Sequence, residues 1–238
     1  MSKPRPGVAA SKRLANCKDE SIWIKVENQY DDVKSFLKEG FETIERNYER
    51  IARNMKKSGD EKSFTKDDLM DVVAWKFAVG KPRHALMKYL HSNTEDSVRE
   101  NFDKALEDFE HDGKIDLCIK EFTKLKGVGP ATASALFTLV NPYSFVYMYD
   151  EVIDCFLPKR NYTLPTYLSM NWECMEIAMS LGEEWSAARV AKVLWIAARA
   201  NAYDLEDHTL QINNKLPIVS KENVKNGGNT RARKRQKR

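Results

Sequence analysis

Apolar residues recur at three- and four-residue intervals through most of the chain, the period of a helix buried along one side. Between residues 22 and 56, Val33, Phe36, Leu37, Phe41 and Ile44 form such a stripe, with Tyr48 and Ile51 continuing it, which predicts one or two helices. Ser58-Gly59-Asp60 interrupts the pattern. Thr65 followed by Asp68 has the form of a capping box, with Asp in place of Glu, and opens a helix through Phe77. Gly80-Lys81-Pro82 ends it. Further helices are predicted over residues 83–91, 94–110, 115–124, 130–140, 150–156, 164–181 and 186–202. Alternation of the strand kind is confined to residues 144–149 and is short. The expected fold class is all-α. The expected organisation is a single helical domain over 21–212, with flexible basic tails at 1–20 and 213–238.

One turn stands apart from the rest. In Leu125-Lys126-Gly127-Val128-Gly129-Pro130, a leucine closes one helix and a proline opens the next. Proline suits the first helical position, where its missing N–H would have had no partner. The glycines allow positive φ and a close approach of backbone to ligand. Amides then point outward at a helix N-terminus, an arrangement suited to a phosphate, and the Thr132 hydroxyl can join them. This predicts a helix-hairpin-helix over about 115–140, with Lys126, Gly127, Val128, Gly129 and Thr132 as candidate phosphate-binding residues. The alternative is a tight helix–helix turn that binds nothing.

Charge changes the picture once it is divided. The formal net charge is +4, but residues 1–18 carry five Lys/Arg and residues 223–238 carry seven, with no acid in either segment. Subtracting these twelve leaves residues 19–222 at −8. A strongly basic nucleic-acid-binding body is therefore not supported, although Lys120, Lys124 and Lys126 form a local patch beside the hairpin. The run Arg231, Arg233, Lys234, Arg235, Lys237 and Arg238 follows a Gly/Asn-rich stretch. It reads as a nuclear-import signal, which implies an import receptor as partner and a nuclear location. A nonspecific polyanion-binding tail or a solvated tail are the alternatives. Nothing in the sequence approaches a membrane span, and no secretory signal precedes the first helix. Cys17, Cys118, Cys155 and Cys174 are scattered without metal-ligand spacing, as are the four histidines, so no metal and no cofactor is expected.

The segment beyond the hairpin adds a candidate site. A connector from Asn141 to Tyr149, containing Pro142, leads to Asp150 at the start of an apolar helix. Together these features resemble the helix-hairpin-helix superfamily of DNA base-excision glycosylases. In that family an L-x-G-x-G-x-x-T-A hairpin precedes a Gly/Pro-rich loop and an essential aspartate at a helix start. Leu125, Gly127, Gly129, Thr132 and Ala133 match the hairpin, and Asp150 falls near the aspartate. The stretch Glu184-Trp185-Ser186-Ala187-Ala188-Arg189, running into Leu194-Trp195, resembles the helix behind the site in the alkylbase-excising branch. The resemblance covers roughly residues 115–200. Residues 20–110, including Trp75-Lys76 and Gly80-Lys81-Pro82-Arg83, do not match the half of the fold that supplies the base pocket. They resemble eukaryotic proteins carrying the same hairpin.

The resemblance implies DNA as a partner, an extruded base, and Asp150 as the catalytic carboxylate that stabilises an oxocarbenium-like sugar or activates water. Tyr147, Tyr149, Trp75 and Trp185 are the candidates to stack on the base. Core packing is the alternative for each. For Asp150 the alternative is a plain N-cap. Bifunctional members carry a lysine just before the Thr-Ala pair, where this chain has Ala131, so the implied enzyme is monofunctional, without lyase chemistry. Met148-Tyr149 before the aspartate also departs from the family's pattern. A non-catalytic nucleic-acid-binding protein and a helical protein-interaction module remain as readings of other classes.

Overall fold

A computed structural model describes residues 7–55 and 64–212, all-helical in its regular structure. Residues 1–6, 56–63 and 213–238, and with them the basic run 231–238, lie outside the described residues. The chain forms α1 (Val8–Ala15), α2 (Glu20–Glu27), α3 (Tyr30–Ser35), α4 (Phe41–Met55), α5 (Lys66–Val79) and α6 (Met87–His91). Then follow α7 (Glu95–Asp112), α8 (Ile115–Phe122), α9 (Pro130–Val140), α10 (Asp150–Phe156), α11 (Leu164–Leu181) and α12 (Ala187–Ala202). A 3-10 turn leads into α6, and another, His208–Gln211, follows α12.

The punctuation residues act as the sequence suggests. Thr65 and Asp68 form a reciprocal capping box: the Thr65 hydroxyl accepts from the Asp68 amide at 3.1 Å, and the Asp68 carboxylate from the Thr65 amide at 3.1 Å. Arg50 of α4 donates to the other Asp68 oxygen at 2.8 Å and so ties α4 to α5. Thr94 caps α7 through the Ser97 amide, and Gly113 ends it in the left-handed conformation. The expected helical stretch at 22–56 is three helices. It breaks at Asn28–Gln29 and again before Phe41, where Gly40 has φ +78°.

The core is one continuous apolar cluster running from Ala10 to Ala200. Every residue of α9 from Ala131 to Phe137 is buried, as are ten residues of α12. These two helices are covered on several sides, which is why neither has a polar face of ordinary width.

Residues 8–19 correct the expected N-terminal tail. Val8, Ala10, Ser11 and Leu14 of α1 are buried, and the helix packs against α10 and α12. Gly7, at φ +86°, caps α1 so close to α12 that a Cβ would stand 2.0 Å from the Ala198 carbonyl oxygen. Ser11 Oγ donates to the Leu194 carbonyl at 2.8 Å, and Arg13 reaches Asp207 at 2.5 Å and Thr209 at 3.0 Å. Four positive charges in the first thirteen residues give the look of a solvated tail. The partners that bury this helix lie nearly two hundred residues away.

The connector before Asp150 is extended but is not a strand. Residues 145–149 are buried on both sides, so alternation in sequence does not become alternation in exposure. Phe145 and Tyr149 donate to nearby backbone carbonyls, and other groups of the connector are met by side chains instead of a ladder. Asn171 of α11 accepts from the Val146 amide at 3.0 Å and donates to the Ser144 carbonyl at 2.9 Å. Ser134 Oγ of α9 accepts from the Met148 amide at 3.2 Å. Buried amides need such partners, and here they fix the path that carries the chain to Asp150.

Candidate functional site

The turn between α8 and α9 is locked from below by α6 and by Asn93, just past its end. Asn93 accepts from the Lys126 amide at 2.9 Å and donates to the Lys126 carbonyl, also at 2.9 Å. Gly127 has φ +80°, and a Cβ there would come within 3.1 Å of Tyr89 and Leu90, so this glycine is required by conformation and by packing. Gly129 differs. Its backbone is extended (φ −118°, ψ 178°) and a Cβ would meet nothing within 4 Å. The expectation that both glycines use positive φ holds for Gly127 alone. Neither strain nor crowding asks for glycine at 129.

The amides sort into used and unused. Val128 donates to the Leu125 carbonyl at 3.1 Å and its side chain is buried, which removes it from the candidate phosphate contacts. The Thr132 amide turns back to the Gly129 carbonyl at 2.8 Å, leaving its hydroxyl on the site. Among the described residues, the amides of Gly129 and Ala131 have no acceptor. They stand at the N-terminal end of the eleven-residue helix α9, where the helix dipole favours an anion.

Twenty residues further on, the connector returns to the same place. Gly127, Gly129, Ala131 and Thr132 share one cavity of about 140 Å³ with Tyr147, Tyr149 and Asp150. That is ring-sized: an apolar cavity of roughly 150 Å³ holds a benzene. Tyr147 and Tyr149 meet edge to face at 4.5 Å, and Tyr149 stacks on Trp195 at 5.3 Å. They are only 5% and 7% exposed, yet neither hydroxyl has a hydrogen-bond partner among the described residues. Burial pushes both phenols well above their ordinary pKa, so they stay neutral and can donate.

Asp150 is the first residue of α10, and the cap position belongs to Tyr149. Its carboxylate is neither the cap of that helix nor free, which corrects both expectations for it. Tyr162 donates to Oδ1 at 2.6 Å, and Arg160 pairs with Oδ2 while also holding Asp154. A carboxylate offers about four acceptor directions, so two partners fix its orientation and leave room for a further contact. Glu151 beside it is paired with Arg199 at 2.9 Å. Burial raises the Glu151 pKa, with Arg199 acting against that.

The positive charge of the site comes from a place the sequence pattern does not reveal. Lys76 near the end of α5, and Lys81 and Arg83 just after it, line the cavity. Among the described residues none of the three has a carboxylate partner, although Arg83 lies over the Tyr162 ring at 4.8 Å. Burial pulls the Lys76 ammonium down to about 8, Arg83 adds to the shift, and Asp150 opposes it. By contrast Lys120 is paired with Asp116 at 2.9 Å and Lys124 with Glu121 at 2.6 Å. Of the expected basic patch, only Lys126 has an exposed side chain without a carboxylate partner, and it does not line the cavity.

Two of the four candidate stacking residues are corrected. Trp75 packs flat on Tyr48 at 4.1 Å and edge-on to Tyr147 at 5.0 Å, so it backs the cavity without lining it. Trp185 lies elsewhere, edge-on to Trp23 at 5.5 Å, with its N–H donated to Glu20 at 2.8 Å and Arg189 over its ring. Arg160, Tyr162, Lys76, Lys81 and Arg83 are the residues that sequence reasoning passes over. The faint signal for the first two is their position in the loop after α10. For the last three it is the Gly-Lys-Pro-Arg turn.

Comparison with protein families, curated proteins and solved structures returns no match for the chain. Among the described residues no helix is long and apolar enough to cross a membrane, and no cluster of His, Cys, Asp and Glu has the arrangement to hold a metal. All four cysteines are free and buried. The site thus combines unpaired amides, three cations without carboxylate partners, two phenols and one positioned carboxylate. It can bind an anion at its edge and a small polar ring within, and place a carboxylate beside that ring.

Proposed function

We propose that this is a helix-hairpin-helix DNA-binding protein whose cavity takes one nucleotide turned out of the duplex, in the manner of a base-excision glycosylase. The observation that carries the reading is convergence: the hairpin residues and, about twenty residues on, Asp150 line one ring-sized cavity with Tyr147 and Tyr149. The amides of Gly129 and Ala131, with Lys81 and Arg83, take the phosphate beside the flipped nucleotide. The phenols donate to the sugar or base, and Asp150, held by Arg160 and Tyr162, faces the cation that forms as the glycosidic bond breaks.

Gly129→Asp tests this directly. Aspartate caps a helix at least as well as glycine, and the position has space for a side chain, so the fold is retained. Its charge faces the proposed phosphate. Affinity for a duplex carrying a tetrahydrofuran abasic analogue is expected to fall at least about tenfold, as one lost charge-assisted contact implies. Unchanged affinity in a folded variant overturns the reading.

A second reading, a phosphate grip without catalysis, is favoured by the engagement of both Asp150 oxygens. A panel of duplexes with alkylated, deaminated and oxidised bases separates the two. Release of a base by wild type, lost in Asp150→Asn with binding kept, supports the enzyme. No release across the panel leaves the grip.

A further inference from the structure

A second depression, larger and more open than the cavity at the hairpin, runs along α11. Its volume is about 490 Å³, and Tyr143, Met175, Ala178, Met179 and Trp185 line it together with Glu183. Tyr143 is 61% and Met179 66% exposed, and Trp172, 58% exposed, continues the row of Met175 and Met179 at helical spacing. Three of the seven large hydrophobic residues left exposed among the described residues are therefore gathered along α11. A contiguous apolar surface with a polar rim marks a docking site. The rim here is acidic. Glu176 and Glu183 flank Met179 at three and four residues, Glu184 follows, all three are exposed, and among the described residues none of them forms a salt bridge.

The chain itself supplies a matching segment. In the sequence beyond the described residues, the apolar side chains are concentrated in Leu216-Pro217-Ile218-Val219, with Lys215 before the block and Lys221, then Glu222, after it. The described chain also ends close to the groove. Gln211 meets Lys25 of α2 at 3.4 Å, and Glu20, on the same helix, receives the Trp185 N–H at 2.8 Å. From Lys25 to Glu20 the helix rises about 7.5 Å, whereas residues 213–219 reach up to about 23 Å when extended. Leu210 and Ile24, 71% and 40% exposed, give this route an apolar surface of its own.

We propose that residues 215–221 dock in this groove, with Leu216, Ile218 and Val219 against Met175, Met179 and Trp185, and Lys215 and Lys221 beside the glutamates of the rim. The volume is roughly three times that of a cavity enclosing a benzene ring, which is room for three aliphatic side chains. Apolar anchors supply the affinity of such a contact, and opposite charges at its edge set the register. A second copy placed symmetrically on the same face would bring Glu176 and Glu183 towards their own counterparts, an arrangement that like charges disfavour. Docking acts as a leash: the basic run that starts at Arg231 begins ten residues past Lys221, so its charge is kept near α11.

Peroxide footprinting of the full chain tests this, because a covered methionine oxidises more slowly than an exposed one. The comparison is with a full-length variant carrying Leu216→Ser, Ile218→Ser and Val219→Ser, which leaves every described residue unchanged. Met179 should oxidise at least about threefold more slowly in wild type than in the variant, while Met70 of α5 oxidises alike in both. Changing Lys215 and Lys221 to glutamate should remove roughly half of that protection. Because the segment and the groove belong to one chain, the protection should be the same from about 1 to 100 µM protein. Equal oxidation of Met179 in wild type and the serine variant overturns the proposal. So does an equal change at Met70, which would report a general loosening. Protection that vanishes on dilution assigns the groove to a second copy and overturns it as well.

Discussion

The Trp23–Trp185 pair and the Tyr147–Tyr149 pair are built alike: two buried aromatics meeting edge-on, each ring with a polar tip. They differ in where the tips go. Trp23 donates to the Cys17 carbonyl at 3.0 Å and Trp185 to Glu20 at 2.8 Å, while Arg189 covers Trp185 and is itself held by Glu27. The tyrosine hydroxyls have no such partners, and the cations near them lack carboxylates. The first pair is closed chemistry, complete within the chain. The second is a set of donors facing a cavity, left open to solvent or to a ligand and not satisfied within the chain. Aromatic residues that look equally promising in sequence are thus separated by the hydrogen bonds they already make.

That contrast can be broken by measurement. The largest expected effect is on the closed side: Trp23→Ala should cost about 3–5 kcal/mol in denaturant unfolding, since it empties a fully buried site. A cost below about 1 kcal/mol would mean that the pair is not a packing element. Next comes Lys76→Met. The folded-state pKa of Lys76 lies below its unfolded value, so the unfolded chain binds more protons between about pH 8 and 10.5, and wild-type stability gains over that window. The methionine variant should therefore be more stable than wild type at pH 7, by about 1–3 kcal/mol, with the difference closing as pH rises through the window. A difference independent of pH would show that the ammonium is not buried. The smallest effect on stability belongs to the double change Tyr147→Phe and Tyr149→Phe, expected within about 0.5 kcal/mol because no protein hydrogen bond is lost. Its affinity for an abasic-analogue duplex should nonetheless fall several-fold. Equal loss of stability and binding would place these hydroxyls on the closed side.

How far the chain could be read depended on whether the deciding contact was local. Helix ends set by a cap, a proline or a glycine are written within four residues, and α5 and α9 begin where Thr65 and Pro130 indicate. The hairpin, too, is a local object. The connector's order, leading from the hairpin to Asp150, carried enough to bring six of the candidate residues to one cavity. What escaped reading depends on distant partners. The burial of α1 is made by α12 and Asp207. Asp150 is held by residues ten and twelve positions on, in a loop with no periodicity. Lys76 lies on a helix enclosed on more than one side, so no hydrophobic stripe marks which of its faces meets the cavity. Trp185 matched a family pattern, and only its neighbours reveal that it faces away.

The Asn93 side chain presents an amide plane to Lys126 as a neighbouring β-strand would, satisfying its N–H and its C=O together. A loop held in this way loses its freedom when the protein folds, before any ligand arrives. Little entropy then remains to be lost on association, and affinity at the hairpin depends on charge and fit with no ordering cost to subtract. On the proposed phosphate-binding role, the ligand would meet a rigid receptor, its capture would be limited by diffusion and orientation, and salt should slow it more than cooling does.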